Sequence, residues 1–292
     1  MLYGIKSIAS YLLGTDVAGR SFAVYPDDTM LVSYPRSGNT WTRFLIANLV
    51  YPEQNPDFTN IERLIPDTSS KSSRGLRNTP RPRLIKSHDY FDPRYPKTIY
   101  IVRDPRDVAL SYYDYHRRNS FINDGVSLQK FVDDFVAGRL ISAGWGTWGE
   151  NVASWVYTRG TSPSFLLLRY KDLHNNPEAQ LERVAEFLGI AADSARFSAA
   201  VESCAASRMR KLEKIQYNDW IRSQGYAARR AKKNRVRKDI PFVGGAKVDG
   251  WRTAMPEECI YRIESAWGEI MTTLDYELVT MPRREGSILA HA

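Results

Sequence analysis

Ser33-Tyr34-Pro35-Arg36-Ser37-Gly38-Asn39-Thr40-Trp41 is the stretch whose residue types and spacing point most directly to chemistry. It follows the apolar, β-prone Met30-Leu31-Val32 and opens a helical pattern with Trp41, Phe44, Leu45, Asn48 and Leu49 on one face. A strand turning tightly into a helix aims unpaired backbone N–H groups, and the positive end of a helix dipole, at one point. Gly38 allows close approach, Ser37 and Thr40 bring hydroxyls, and Arg36 brings a fixed charge. The assembly suits a phosphate or sulfate group. It is not a Walker A loop, because Gly38 is followed by Asn39-Thr40-Trp41 and not by Lys and Ser or Thr.

Further candidates stand at the ends of other apolar runs. Arg83-Leu84-Ile85-Lys86 leads into Ser87-His88, and Thr98-Ile99-Tyr100-Ile101-Val102 leads into Arg103. Ser111 lies two turns along the helix that Asp104 caps and Pro105 begins, and Tyr170 ends Phe165-Leu166-Leu167-Leu168-Arg169-Tyr170. Histidine titrates near neutrality and can take a proton; an arginine fork can grip a phosphate. Each also has a plainer reading: Arg103 paired with Asp107, His88 an ordinary surface histidine.

The elements that must position these groups alternate. Amphipathic helices are expected at Ser127 to Val136 (closed by Gly138), Thr147 to Tyr157, Pro177 to Leu188 (ending at Gly189) and Glu257 to Leu278. Residues 51 to 82, rich in Pro, Ser, Asn and Arg, read as a loop. Strands alternating with helices predict a three-layer α/β fold, a central parallel sheet flanked by helices, with ligands bound beyond the carboxyl ends of the strands. One domain over 1–292 is expected, with an N-terminal helix or extension over 1–29 that packs on the domain and does not span a membrane. The net charge of +8 over 292 residues favours anionic partners. Cys204 and Cys259 make neither a disulfide framework nor a zinc spacing, so a reducing, cytoplasmic setting is expected.

In order and spacing these segments resemble the cytosolic-type, bacterial-like sulfotransferases that use 3′-phosphoadenosine 5′-phosphosulfate (PAPS). The loop is similar to the family's Tyr-Pro-Lys-Ser-Gly-Thr-Thr-Trp, with Arg36 where Lys is common. Lys86-Ser87-His88 is similar to its Lys-x-His. Ile101-Val102-Arg103-Asp104-Pro105-Arg106-Asp107 through Ser111-Tyr112-Tyr113 resembles its 3′-phosphate segment, and Tyr170-Lys171-Asp172-Leu173 its Tyr-x-Asp-Leu. The resemblance implies catalytic roles for His88 as base and for Lys86 and Arg36 at the sulfonate. It implies donor contacts from Arg36, Ser37, Gly38, Asn39, Thr40, Trp41, Arg103, Ser111 and Tyr170. The product would be 3′,5′-diphosphoadenosine (PAP), with no metal required.

Two segments depart from the family. Ala205 and Ala206 stand where it has Ser and an adenine-stacking Phe, ahead of Met209, and Gly244-Gly245 replace an Arg-Lys phosphate clamp ahead of Trp251. Lys247, Arg237 and Lys238 are candidates to substitute. The strongly basic part of 205–252 reads as a lid over an anionic donor or as a solvated face. Tyr90, Phe91, Tyr115, Phe121, Trp145 and Trp148 could line a slot for a small, partly hydrophobic hydroxyl acceptor, or be plain core. The expectation is sulfuryl transfer to a hydroxyl or amine, without nucleic acid or stable membrane insertion. The rivals are a Mg-dependent phosphoryl-transfer kinase and a non-catalytic nucleic-acid-binding module built on residues 208–238.

Overall fold

A computed structural model describes residues 18–140, 144–223, 237, 239–240 and 248–280. Residues 1–17 of the expected N-terminal helix or extension, residues 224–236 of the basic stretch, and Lys238, Gly244, Gly245 and Lys247 lie outside the described residues.

Strands β1 (Thr29–Ser33), β2 (Leu84–Ser87), β3 (Lys97–Val102) and β4 (Phe165–Arg169) form one parallel sheet in the order β2-β1-β3-β4. Helix α1 (Asn39–Val50) follows β1; α2 (Pro105–Arg118), α3 (Leu128–Val136) and α4 (Trp148–Arg159) lie between β3 and β4. After β4 come α5 (Tyr170–Asn175), α6 (Pro177–Leu188), α7 (Ser194–Ser203), α8 (Ala206–Ser223), α9 (Trp251–Ala254) and α10 (Glu257–Thr273).

Successive strand residues point to opposite faces, and both faces are apolar. Met30, Val32, Ile85, Tyr100 and Val102 join a core with Val108 and Tyr112 of α2, Trp155 of α4 and Ile263 of α10. Leu31, Leu84, Ile99, Ile101 and Leu168 join the opposite core with Phe44 and Leu45 of α1, Leu181 of α6 and Phe197 of α7. Local chemistry sets the helix starts. The Asp104 carboxylate accepts the Arg106 N–H with Pro105 at the first helical position, Ser127 caps α3, and Thr147 and Glu150 form a capping box on α4. Gly189 ends α6 in the left-handed conformation, φ 71°. No helix among the described residues is long and apolar enough to cross a membrane.

Several expectations need correction. Residues 51–82 are not a free loop: Phe58, Ile61, Ile65 and Leu76 are buried in the two cores, and short helices form at Ile61–Leu64 and Ser73–Arg77. Helix α1 is buried on nearly every side, including Thr42, Arg43, Ile46 and Ala47, rather than on one face. Tyr170 is the first residue of α5, not the last of β4. The last helix stops at Thr273, with Trp267 non-helical inside it, and α7, α8 and α9 follow no expectation made from the sequence.

Candidate functional site

The strand order makes β1 and β3 neighbours whose connections leave in opposite directions, the arrangement that opens a crevice beyond the carboxyl ends. The turn after β1 enters it in an unusual backbone form: Arg36 has φ 68° and Gly38 φ 92°. A side chain at Gly38 is excluded twice over, since a Cβ there would lie 2.3 Å from the Tyr170 ring. The loop backbone is therefore seated against that ring. Arg36 reaches across to α2, where its Nε donates to Ser111 Oγ at 3.1 Å and its guanidinium lies 5.0 Å from the Tyr115 ring centre. Arg103, leaving β3, donates from Nη1 to the Arg36 carbonyl at 3.1 Å and lies 4.6 Å from the Tyr170 ring centre. Trp41 meets Tyr170 edge-on at 6.1 Å and donates from Nε1 to the Cys204 carbonyl at 3.1 Å. Ser37 Oγ is wholly buried without a hydrogen-bond partner, and Asn39 turns its amide back to Ser33 Oγ at 3.1 Å.

The end of β2 adjoins this group. His88 Nδ1 lies 2.7 Å from the Ser33 carbonyl, which can only accept, so Nδ1 carries the proton and Nε2 is the accepting nitrogen. Burial, and after it the Lys86 ammonium, push the imidazole down to about 3, so it is neutral at physiological pH. Trp145 stands edge-on to His88 at 5.5 Å. Lys86 is not a lone cation, as its Nζ is paired with Asp67, a residue that sequence reasoning missed. The only local sign is the Asp67-Thr68-Ser69 turn spacing; the pairing itself is non-local.

Other expectations resolve differently. The two Asp107 carboxylate oxygens accept the backbone N–H groups of Asp249 (3.0 Å) and Trp251 (3.1 Å), so Asp107 organises that turn. Trp251 is buried under the Arg106 guanidinium, 3.6 Å from its ring centre. Trp148 is core, its Nε1 donating to the Arg103 carbonyl at 3.2 Å. Phe91 packs on Trp155, Tyr90 is exposed, and Tyr115 and Phe121 meet at 5.9 Å. Arg237 pairs with Asp124 and Asp239, and Ala205 and Ala206 are exposed.

The buried imidazole has a consequence for stability. Below pH 6.5 the unfolded chain protonates His88, whereas the folded chain does so only at about 3. Stability therefore falls as pH falls through that window, by at most about 1.4 kcal/mol per pH unit. The Asp67 carboxyl, which burial raises but Lys86, His88 and Arg43 together hold low, adds its own loss in more acid solution. Urea midpoints at pH 7 and pH 5 should separate more for the parent than for His88→Gln; equal separation would contradict the assignment.

A family model described as a sulfotransferase domain matches residues 26–275. The chain is 29% identical over 216 residues to bovine sulfotransferase 1A1, covering 68% of this chain and 71% of that protein. It is 32% identical over 196 residues to human sulfotransferase 4A1, covering 63% and 67%. Among solved structures, retinol dehydratase in complex with androsterone and the inactive cofactor PAP superposes with TM-score 0.70 at 18% identity, covering 94% of this chain and 88% of that one. Mouse sulfotransferase SULT7A1 complexed with PAP gives TM-score 0.66 at 22% identity, covering 88% of each. At those identities the likeness to the solved structures is one of fold.

Proposed function

The chain belongs to the sulfotransferase domain family, and on that premise we propose that it carries a sulfuryl group from PAPS to the hydroxyl, or amine, of a small acceptor, with His88 as the base. One observation carries the reading: Arg36, Ser111, Arg103, Tyr170 and the Gly38 turn form one connected group at the ends of β1 and β3, and His88 is tied to the same β1 end through Ser33. The buried, unpartnered Ser37 hydroxyl and the bare backbone at Gly38 fit an anion held by the loop.

When bound, the donor supplies a sulfur centre whose bond to the 5′-phosphate oxygen breaks as a bond to the acceptor oxygen forms. The amides of Ser37, Gly38, Asn39 and Thr40 would hold the 5′-phosphate, and Arg36 with Lys86 would offset the charge of the transferring group and of the 5′-phosphate beside it. Arg103 and Ser111 would take the 3′-phosphate, and Trp41 and Tyr170 would flank the adenine. His88 Nε2 takes the acceptor proton, since the Ser33 carbonyl fixes the tautomer and the ring is neutral. Trp145 beside His88 and Tyr115 beside Arg36 provide apolar surface for a partly hydrophobic acceptor.

Calorimetry with PAP, followed by label transfer from sulfur-labelled PAPS to a panel of phenols, alcohols and amines, tests the reading. Binding of PAP and metal-independent transfer are expected. Turnover from ATP that a chelator abolishes would favour the kinase, and steeply salt-dependent binding of DNA or RNA without PAP binding would favour the nucleic-acid module.

A further inference from the structure

Asp67 sits in the segment that the sequence presents as loop, yet both of its carboxylate oxygens are engaged. Its Oδ1 accepts from the Ser69 backbone N–H at 2.8 Å and the Ser69 hydroxyl at 2.7 Å, and its Oδ2 meets Lys86 Nζ. The backbone beside it extends the sheet at the outer edge of β2: the Thr68 N–H donates to the Lys86 carbonyl at 3.0 Å, and the Lys86 N–H to the Pro66 carbonyl at 2.8 Å. The Asp67 N–H donates to Glu62 Oε2 at 3.3 Å, and Arg43 of α1 holds Glu62 Oε1 at 2.8 Å. The carboxylate is thus fixed from its own turn and from β2, and its backbone is tied through Glu62 to Arg43 of α1.

Both members of the pair are nearly out of water, Asp67 3% and Lys86 9% exposed. Two residues beyond Lys86 in the chain is His88, so the pair borders the place where the acceptor proton is taken. A carboxylate held this way is a standing partner for the ammonium, and any second anion must share that ammonium with it. We propose that Asp67 is a positioning residue that competes with the anionic groups of the donor nucleotide for the Lys86 ammonium, so that donor and product are held less tightly than the site's cations alone would hold them. It acts through Lys86 and touches no reacting atom. The gain is in turnover: a nucleotide product bound by every available cation leaves slowly, and interactions that hold substrate and product alike do not speed the chemical step.

The inference rests on the sulfotransferase reading, and its test keeps the two apart. Calorimetry in low-salt buffer compares PAP binding by the full-length parent and by Asp67→Asn, with stopped-flow measurement of PAP release. Losing the competing charge should tighten PAP binding roughly threefold to thirtyfold and slow release by a similar factor, the size of one charged interaction. If Asp67 served only to hold the fold, its removal would weaken PAP binding. Affinity equal to or weaker than the parent's, in a variant with the parent's circular dichroism and a cooperative thermal transition, overturns the proposal. Should Asp67→Asn fail to fold, Asp67→Ser with PAP present during refolding gives the same comparison, with the same sign expected and the same result fatal. A parent that does not bind PAP at all would overturn the sulfotransferase reading and this inference with it.

Discussion

His88→Ala is expected to lower the turnover number for sulfuryl transfer by about 10²- to 10⁴-fold while leaving PAP affinity within about threefold of the parent, the range for losing a positioned general base. The expectation comes from geometry first. The Ser33 carbonyl, 2.7 Å from Nδ1, fixes both the tautomer and the ring plane, so Nε2 is presented as an acceptor without a rotamer search. It comes from charge second, since burial and Lys86 keep the ring unprotonated. An imidazole held down to about 3 should show no titration between pH 5 and 8 in the nucleotide-free protein, which NMR of the imidazole carbons can read directly. The bound anions of a nucleotide favour the protonated ring, so PAP should move this titration upward. Turnover by His88→Ala equal to the parent's, with any acceptor, would remove His88 from the mechanism.

What the sequence made legible was what local rules encode. The continuous apolar runs of β1 and β3, the Asp104–Pro105 start of α2 and the Gly189 end of α6 are written within a few residues of where they act. The strand ends that carry Arg36, Lys86, His88, Arg103 and Tyr170 follow from those elements once the sheet is parallel. What failed was non-local. Residues 51–82 read as a loop because their polar composition hides Phe58 and Ile65, which join the core that Phe44 and Leu45 of α1 share. Asp67 was missed because its partner lies nineteen positions away along the chain, beyond any turn or helix spacing. Arg36 carries a positive φ that no sequence rule predicts for arginine; its hydrogen bonds to Ser111 and from Arg103 keep it there. Trp148 has the same residue type as Trp145, yet Trp148, the first residue of α4, is core, while Trp145, in the turn before that helix, stands beside His88.

Arg103→Ala should separate the two phosphates of the nucleotide. Expected is a loss of about 10- to 150-fold in PAP affinity, the size of one charge-assisted hydrogen bond at about 1.5–3 kcal/mol, against less than about threefold for adenosine 5′-phosphate. The difference matters more than either value, because Arg103 has two jobs in the structure. Its Nη1 bond to the Arg36 carbonyl braces the loop, and its guanidinium lies against Tyr170. If bracing were the whole of its role, the loop would loosen for both nucleotides and the two affinities would fall together. If it also grips the 3′-phosphate, only PAP suffers the larger loss. Arg103→Lys sharpens the distinction: it keeps the charge but not the planar fork, so it should recover part of the PAP affinity. The main-chain carbonyl of residue 103, which accepts from Trp148 Nε1 at 3.2 Å, is present in every variant, so the helix beneath keeps its anchor and the comparison reads the side chain alone.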